Sequence, residues 1–165
     1  MARVYSALTS VGNRAVDSQD DTYIEIKVPT DVTIRIKRVS FADGAGTNTA
    51  LILESGIRIK LLETSTTFAG TSVAFTPIRR NPNTSASACT VKIRNLATQA
   101  NTNGTIVRTF DQIAPRNLFV FEWTARDLTD AITINGSAST FFAIVISKSG
   151  TAVQVKTVSV TWEEF

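Results

Sequence analysis

The strongest constraint on this chain is a period of two. Tyr23-Ile24-Glu25-Ile26-Lys27-Val28 sets Ile24, Ile26 and Val28 on one side of an extended segment. Thr33-Ile34-Arg35-Ile36-Lys37 does the same, and the tetrapeptide IRIK returns at 57–60 before Leu61-Leu62 and Glu63-Thr64. Strict alternation is the mark of a strand with one face in a core and one in solvent. Further strand candidates are 3–9, 88–94, 105–110, 118–124, 130–135, 140–147 and 152–162. No segment keeps helical spacing over three turns, and the best single turn of helix is Thr49 to Leu53, ahead of Gly56.

Turn-forming clusters separate the runs: Val-Pro-Thr-Asp at 28–31, Asp-Gly-Ala-Gly at 43–46, Arg-Asn-Pro-Asn-Thr-Ser at 80–85, Asn-Thr-Asn-Gly at 101–104, Asn-Gly-Ser at 135–137 and Lys-Ser-Gly at 148–150. Short strands at this spacing predict an all-β, antiparallel β-sandwich or jelly roll. The chain is expected to be a single domain, with 1–22 as an N-terminal arm or first strand and 23–165 as the sandwich, interrupted by a long loop at 65–88. Its 165 residues suffice for one sizeable core.

Alternation slips twice. After Arg38 the apolar positions move to Val39 and Phe41, so a bulge is expected near Lys37-Arg38, or burial on both faces. Val153 and Val155 share one phase and Val158, Val160 and Trp162 the other, which places a second bulge near Thr157.

The two IRIK runs are not a duplication. Asp31-Val32-Thr33 precedes the first, Glu54-Ser55-Gly56 the second, and no fixed period extends the match. Their basic residues alternate with aliphatics, as on the solvated face of a strand. Net charge is +3, with +4 in residues 1–94 and −1 in 95–165. That asymmetry is too mild for a nucleic-acid surface, which clusters basic residues more densely and interleaves exposed aromatics.

Histidine is absent and Cys89 is the only cysteine. One chain therefore cannot build a Cys/His zinc site, a His-assisted nucleophile or an intrachain disulfide. In ACTVKIRN, Cys89 alternates with Val91 and Ile93, as a buried strand residue would. No apolar run is long enough to span a bilayer, and the N-terminus lacks a signal-type apolar stretch, so the protein is expected to fold where it is made. Gly44-Ala45-Gly46 follows a strand but leaves only about ten residues before the next, too few for a dinucleotide-binding crossover, so these glycines read as a tight turn. The triplets starting at Asn83, Asn103 and Asn135 sit where turns belong. Asp17, Asp20 and Asp21 lack calcium-loop spacing. Asp111, Glu122, Asp127 and Asp130 could supply a glycosidase pair, but no spacing selects two of them.

Two aromatic runs stand out. Leu118-Phe119-Val120-Phe121-Glu122-Trp123 has three aromatics on one parity. Phe141-Phe142-Ala143-Ile144-Val145-Ile146 is apolar on both, so it needs cover on both faces, from the opposite sheet and from a loop or a neighbouring subunit. The most distinctive stretch is Thr76-Pro77-Ile78-Arg79-Arg80-Asn81-Pro82-Asn83-Thr84. Pro77 and Pro82 bracket Arg79 and Arg80 within a linker too long for a hairpin. Prolines favour an extended, ordered arm whose arginines could dock on carboxylates. Arg3 and Tyr5 join these four as protein-interaction candidates. No catalytic, cofactor or metal residues are assigned.

A resemblance rests on this layout. IRIK-type strands lead into the Thr64–Ser72 loop, then Thr-Pro-Ile-Arg-Arg-Asn, then Ser-Ala-Cys-Thr-Val with Asn-Leu-Ala-Thr, and finally Val158-Ser159-Val160-Thr161-Trp162-Glu163-Glu164-Phe165. Over most of residues 24–165 the chain resembles jelly-roll head-decoration (cement) proteins of tailed bacteriophages. The resemblance implies a non-enzymatic virion protein, made in the host cytoplasm and seated on the outer capsid surface. Its implied partners are copies of itself, in a homotrimer, and the major capsid protein, with no cofactor, no direct nucleic-acid contact and no membrane. The alternative is a carbohydrate-binding sandwich, a receptor-binding tip or lectin-like module. Exposed tryptophans would favour the alternative, buried ones a structural clamp.

Overall fold

The period-two segments do become strands. A computed structural model describes residues 2–14, 21–45, 55–65, 72–94, 104–114, 118–148 and 154–165. They form β1 (Arg3–Arg14), β2 (Asp21–Val28), β3 (Thr33–Ala45), β4 (Ser55–Thr64), β5 (Ser72–Phe75), β6 (Ile78–Arg79), β7 (Thr90–Arg94), β8 (Thr105–Ala114), β9 (Leu118–Thr124), β10 (Ile132–Asn135), β11 (Thr140–Lys148) and β12 (Gln154–Glu164).

The pairings nest. β1 lies antiparallel to β12, β2 to β11, β3 to β9 and β4 to β8. One long hairpin, rolled so that β12 also meets β3 and β11 also meets β4, produces this pattern. The result is two facing sheets, β9-β3-β12-β1 and β2-β11-β4-β8, which is the jelly roll. β6 extends the first sheet beyond β1, β10 shares the β3 edge with β9, and β7 and β5 extend the second sheet beyond β2.

Alternation explains the core. Ile24, Ile26, Ile34, Ile36, Ile59, Leu61, Phe142, Ile144, Val158, Val160 and Trp162 all point between the sheets and are buried. Removing each large aliphatic from water contributes about 1.5–3 kcal/mol. Between the two halves of β3 lies the first expected bulge. Thr161 faces Arg38 and Trp162 faces Ile36, so Lys37 is the extra residue. Its carbonyl accepts from the Ala125 amide at 2.8 Å, in the gap where β9 gives way to β10. The slip therefore keeps Ile34 and Ile36 inside along with Val39 and Phe41.

Three expectations are corrected. No bulge lies at Thr157, because β12 pairs with β3 without a shift from Gln154 to Thr161. The nearby irregularity belongs to β1, between Val11 and Arg14. Gly44 is not in a tight turn: β3 runs through it, opposite Val155 and Leu118, and two flanking ladders hold its backbone extended. Residues 65–88 are not wholly loop. β5 pairs with β7 and β6 with β1, so the chain crosses from one sheet to the other at Thr76-Pro77. Pro77 cannot donate to a ladder, which stops β5. Two such short runs are too brief for their alternation to register. The helical turn expected at 49–53 lies outside the described residues.

At 29–32 and 136 the turn chemistry holds. Asp31 has φ 66°, and the Val32 amide donates to the Pro29 carbonyl. Gly136 packs against the same turn, where a Cβ would meet the Pro29 oxygen at 1.9 Å. Both faces of β11 are buried within the single chain. Phe142, Ile144 and Ile146 join the main core, while Ala143 and Val145 form a second cluster with Leu62. The doubly apolar strand thus needs no neighbouring subunit to cover it. Among the described residues no helix is long and apolar enough to cross a membrane.

Candidate functional site

The six interaction candidates converge on one edge. β6 pairs with β1 through Tyr5 opposite Arg79 and Ser6 opposite Ile78. The Arg80 amide donates to the Val4 carbonyl at 3.0 Å. Beyond it Asn81 organises a turn. Its side chain accepts from the Asn83 amide at 3.0 Å, and its carbonyl accepts from the Thr84 hydroxyl at 2.8 Å. Pro82 supplies the fixed φ inside that turn. Arg79 donates across the turn to the Thr84 carbonyl at 2.8 Å. Arg3 donates to the Ser85 hydroxyl and Tyr5 to the Ser85 carbonyl, each at 2.8 Å. The arm is therefore extended and tied to the sheet, with Ile78, Arg79 and Arg80 exposed.

A buried carboxylate fixes the far end of the arm. Glu164 accepts from the Ser87 hydroxyl, from the Ala88 amide at 3.1 Å and from the Trp162 indole N–H at 3.1 Å. Trp162 is fully buried and packs against the Tyr5 ring, with centroids 6.0 Å apart. Sequence reasoning did not single out Glu164 as an anchor. The signal was there: Val158, Val160 and Trp162 mark the inward parity, and Glu164 continues it. A carboxylate on a buried phase must find donors.

Cys89 is buried as expected, although it sits one residue before β7 rather than inside it. Burial, first, and then the Glu164 charge push its thiol far above the usual thiol range. It is a packing residue rather than a nucleophile.

The second site lies at the opposite edge. A cleft of about 520 Å³ opens beside β8, β9 and the segment that follows β9, lined by Arg108, Phe110, Glu122, Trp123, Asp127 and Asp130 among others. Three of the four acids named as a glycosidase pair meet here; Asp111 sits along β8, bound by Arg58 at 2.6 Å. The acids are already engaged. Glu122 pairs with Arg38, and Asp130 with Arg108 at 2.8 Å. Asp127 accepts from the Thr129 hydroxyl, the Thr129 amide and the Asp130 amide, all on Oδ1. The Arg58 hydrogen bond holds Asp111 below the usual carboxylate range, the Thr129 hydroxyl does so for Asp127, and Arg108 for Asp130. A general acid needs the opposite shift.

Trp123 is half-buried, and its indole face is covered by Arg108, 4.8 Å from the ring centroid, while Phe110 packs 6.0 Å away. Trp162 is closed to a sugar ring, and one face of Trp123 is occupied by Arg108. Asp17 and Asp20 lie outside the described residues, and Asp21 opens β2 opposite Ile146. Among the described residues no three acids or cysteines gather as metal ligands. No family model matches this chain, and no curated protein matches it.

Proposed function

We propose that this protein is a non-enzymatic virion structural protein, a decoration or cement subunit of a tailed-phage head. In this reading it assembles as a homotrimer on the outer capsid surface and holds neighbouring capsid proteins together. The observation that carries the reading is the arm. A rigid jelly roll presents Ile78, Arg79 and Arg80 on a strand paired to β1 at Ser6 and Tyr5 and anchored further along the chain through Ser85 and Glu164. Preorganised contacts lose little conformational entropy on docking, which suits a clamp that must hold under load. The placement of the tryptophans supports it too. Trp162 is core and Arg108 lies over the Trp123 ring, so a sugar stacking there would first have to displace that arginine.

Two measurements test this. Light scattering is expected to report a mass near three times the 17.9 kDa chain. Mass spectrometry of purified particles from a phage encoding the chain is expected to find it in the shell, and removing it is expected to lower the temperature at which heads rupture. A protein absent from particles, or one that captures glycans on an array while remaining monomeric, overturns the reading.

A further inference from the structure

We propose that Asn135 is a dormant deamidation site, kept intact by the turn at 29–32 and converted only when that turn lets go of Gly136. The chemistry belongs to a single chain, whatever its oligomeric state.

An asparagine followed by glycine is the pair most prone to spontaneous deamidation, because no Cβ hinders attack by the following amide. The chain has nine asparagines, and only Asn103 and Asn135 precede a glycine. Asn103 lies outside the described residues. At Asn135 the reaction begins when the Gly136 backbone nitrogen gives up its proton and attacks the side-chain carbon Cγ. A C–N bond forms, the C–N bond to the side-chain nitrogen breaks, and ammonia leaves with the proton. Water then opens the resulting succinimide at either carbonyl, giving aspartate or isoaspartate. Water is the only co-reactant.

The fold withholds both reacting groups. The Gly136 amide donates to the Val32 carbonyl at 2.8 Å, so the hydrogen that must leave is already held. The Asn135 side-chain oxygen accepts from the Thr33 hydroxyl at 3.1 Å, which draws the side chain across to β3. Asn135 is also the last residue of the β10–β3 ladder, opposite Thr33. Gly136 has no room to swing: a Cβ there would meet the Pro29 and Val32 oxygens at 1.9 and 2.6 Å. Beyond it a second turn closes through the Ser137 and Thr140 hydroxyls, 2.6 Å apart. Asn135 itself is exposed, so water reaches it freely. Its protection is the hold on one amide, not exclusion of solvent.

That hold depends on the 29–32 turn, in which Asp31 takes the left-handed conformation at φ 66°. Opening of the turn frees the Val32 carbonyl and the Gly136 amide together. Conversion to isoaspartate then works one way. It routes the backbone through the former side-chain carbon and adds one atom between residue 135 and Gly136. The chain can no longer pair residue 135 with Thr33 and return the Gly136 amide to Val32. Openings that react are therefore recorded covalently.

The test follows conversion in the full-length protein at neutral pH, with the guanidinium-unfolded chain giving the unprotected rate. Trypsin cleavage after Arg126 and Lys148 releases a peptide in which Asn135 is the only asparagine. Its mass gain reports deamidation. The folded chain is expected to convert at least about tenfold more slowly than the unfolded one, since reaction proceeds only from the open form. That ratio is expected to match the hydrogen-exchange protection of the Gly136 amide within about threefold, because one bond must open for both. Asp31→Val places a β-branched residue in the left-handed region and is expected to speed conversion at least about fivefold. Asp31→Gly adopts that region freely and is expected not to speed it. Three results overturn the proposal. Equal rates in the folded and unfolded chain remove the protection. Slow conversion with an unprotected Gly136 amide places the protection elsewhere. An Asp31→Val chain whose Gly136 exchanges faster while Asn135 converts at the parent's rate uncouples the turn from the chemistry. If Asp31→Val fails to fold, the comparison of exchange with conversion in the parent decides.

Discussion

Each tryptophan of this protein sits beside a carboxylate, and the two arrangements differ in kind. At the Trp162 corner the ring is fully buried, and Glu164 is surrounded by neutral donors from the indole, Ser87 and Ala88. At the Trp123 cleft the ring is half-buried, and Asp130 is met by an arginine that also lies on the indole. The first corner joins the C-terminal strand to the arm and closes one edge of the sandwich. The second leaves its edge open. Burial decides which one the fold depends on, because lost packing and unsatisfied donors are costly only where water cannot replace them.

The largest expected effect is therefore Trp162→Ala, about 3–5 kcal/mol in urea unfolding, because it opens a cavity between the sheets and frees Glu164. Trp123→Ala is expected to cost about 1–2 kcal/mol, since part of its face is already wet. Equal losses would break the comparison.

Glu164→Ala comes next, at about 3 kcal/mol, because the Trp162 N–H and the Ala88 amide lose their acceptor in an enclosed site. Glu164→Gln keeps one acceptor oxygen and is expected to recover roughly half of that loss. If both variants unfold at the parent's urea midpoint, the carboxylate does not hold the arm.

The contrast also marks what the sequence revealed. Alternation alone placed every long strand, since each carries at least three in-phase apolar residues. It also located the bulge at Lys37, because a phase slip is visible in one strand. It missed β5 and β6, whose four and two residues hold too little pattern. It also misread the slip near Thr157, because the extra residue sits in the paired strand β1. Arg79, Arg80, Pro77 and Pro82 were readable as an ordered arm because proline restricts the backbone locally. The Ser85 and Glu164 partners were not, because they join residues about 80 positions apart. The cleft was invisible for the same reason: its acids were named, but only the fold could pair them with arginines.

Acid sharpens the comparison next. The carboxylates of Asp111, Asp127 and Asp130 are shifted down in the folded chain. A depressed folded pKa contributes stability above the unfolded value, near 3.9 for Asp, and that contribution is lost as pH falls through the folded value. These three groups are therefore expected to leave stability unchanged between about pH 7 and 5 and to weaken it below about pH 4. Asp111 and Asp127 are exposed and Asp130 is partly so, so their share is expected to shrink as salt rises. Urea unfolding of Asp130→Asn across that range checks this. The variant should lose less than the parent on going from pH 5 to pH 3, and an identical acid limb would remove Asp130 from the account.

The smallest expected effect on the fold is at the arm itself. Arg79 and Arg80 are exposed, and replacing exposed side chains usually changes stability by within about 0.5 kcal/mol. Arg79 is the more embedded of the two, since its guanidinium bridges the turn to the Thr84 carbonyl. The backbone bonds that hold the arm in place come from the Arg80 amide, Tyr5 and Ser85, and survive truncation to alanine. Arg79→Ala with Arg80→Ala is thus expected to melt within about 2 °C of the parent as an isolated subunit, by the scaling of midpoint with free energy for a domain this size. Its affinity for neighbouring copies or for capsid is expected to fall by about 1–3 kcal/mol, roughly five- to 150-fold. The separation of the two readouts is the argument. A residue that only supports the fold lowers both together, and a residue that only touches solvent lowers neither. A double variant that assembles and decorates as tightly as the parent would make the arm a solvated edge, and leave the Trp162 corner as the one region where its anchoring matters.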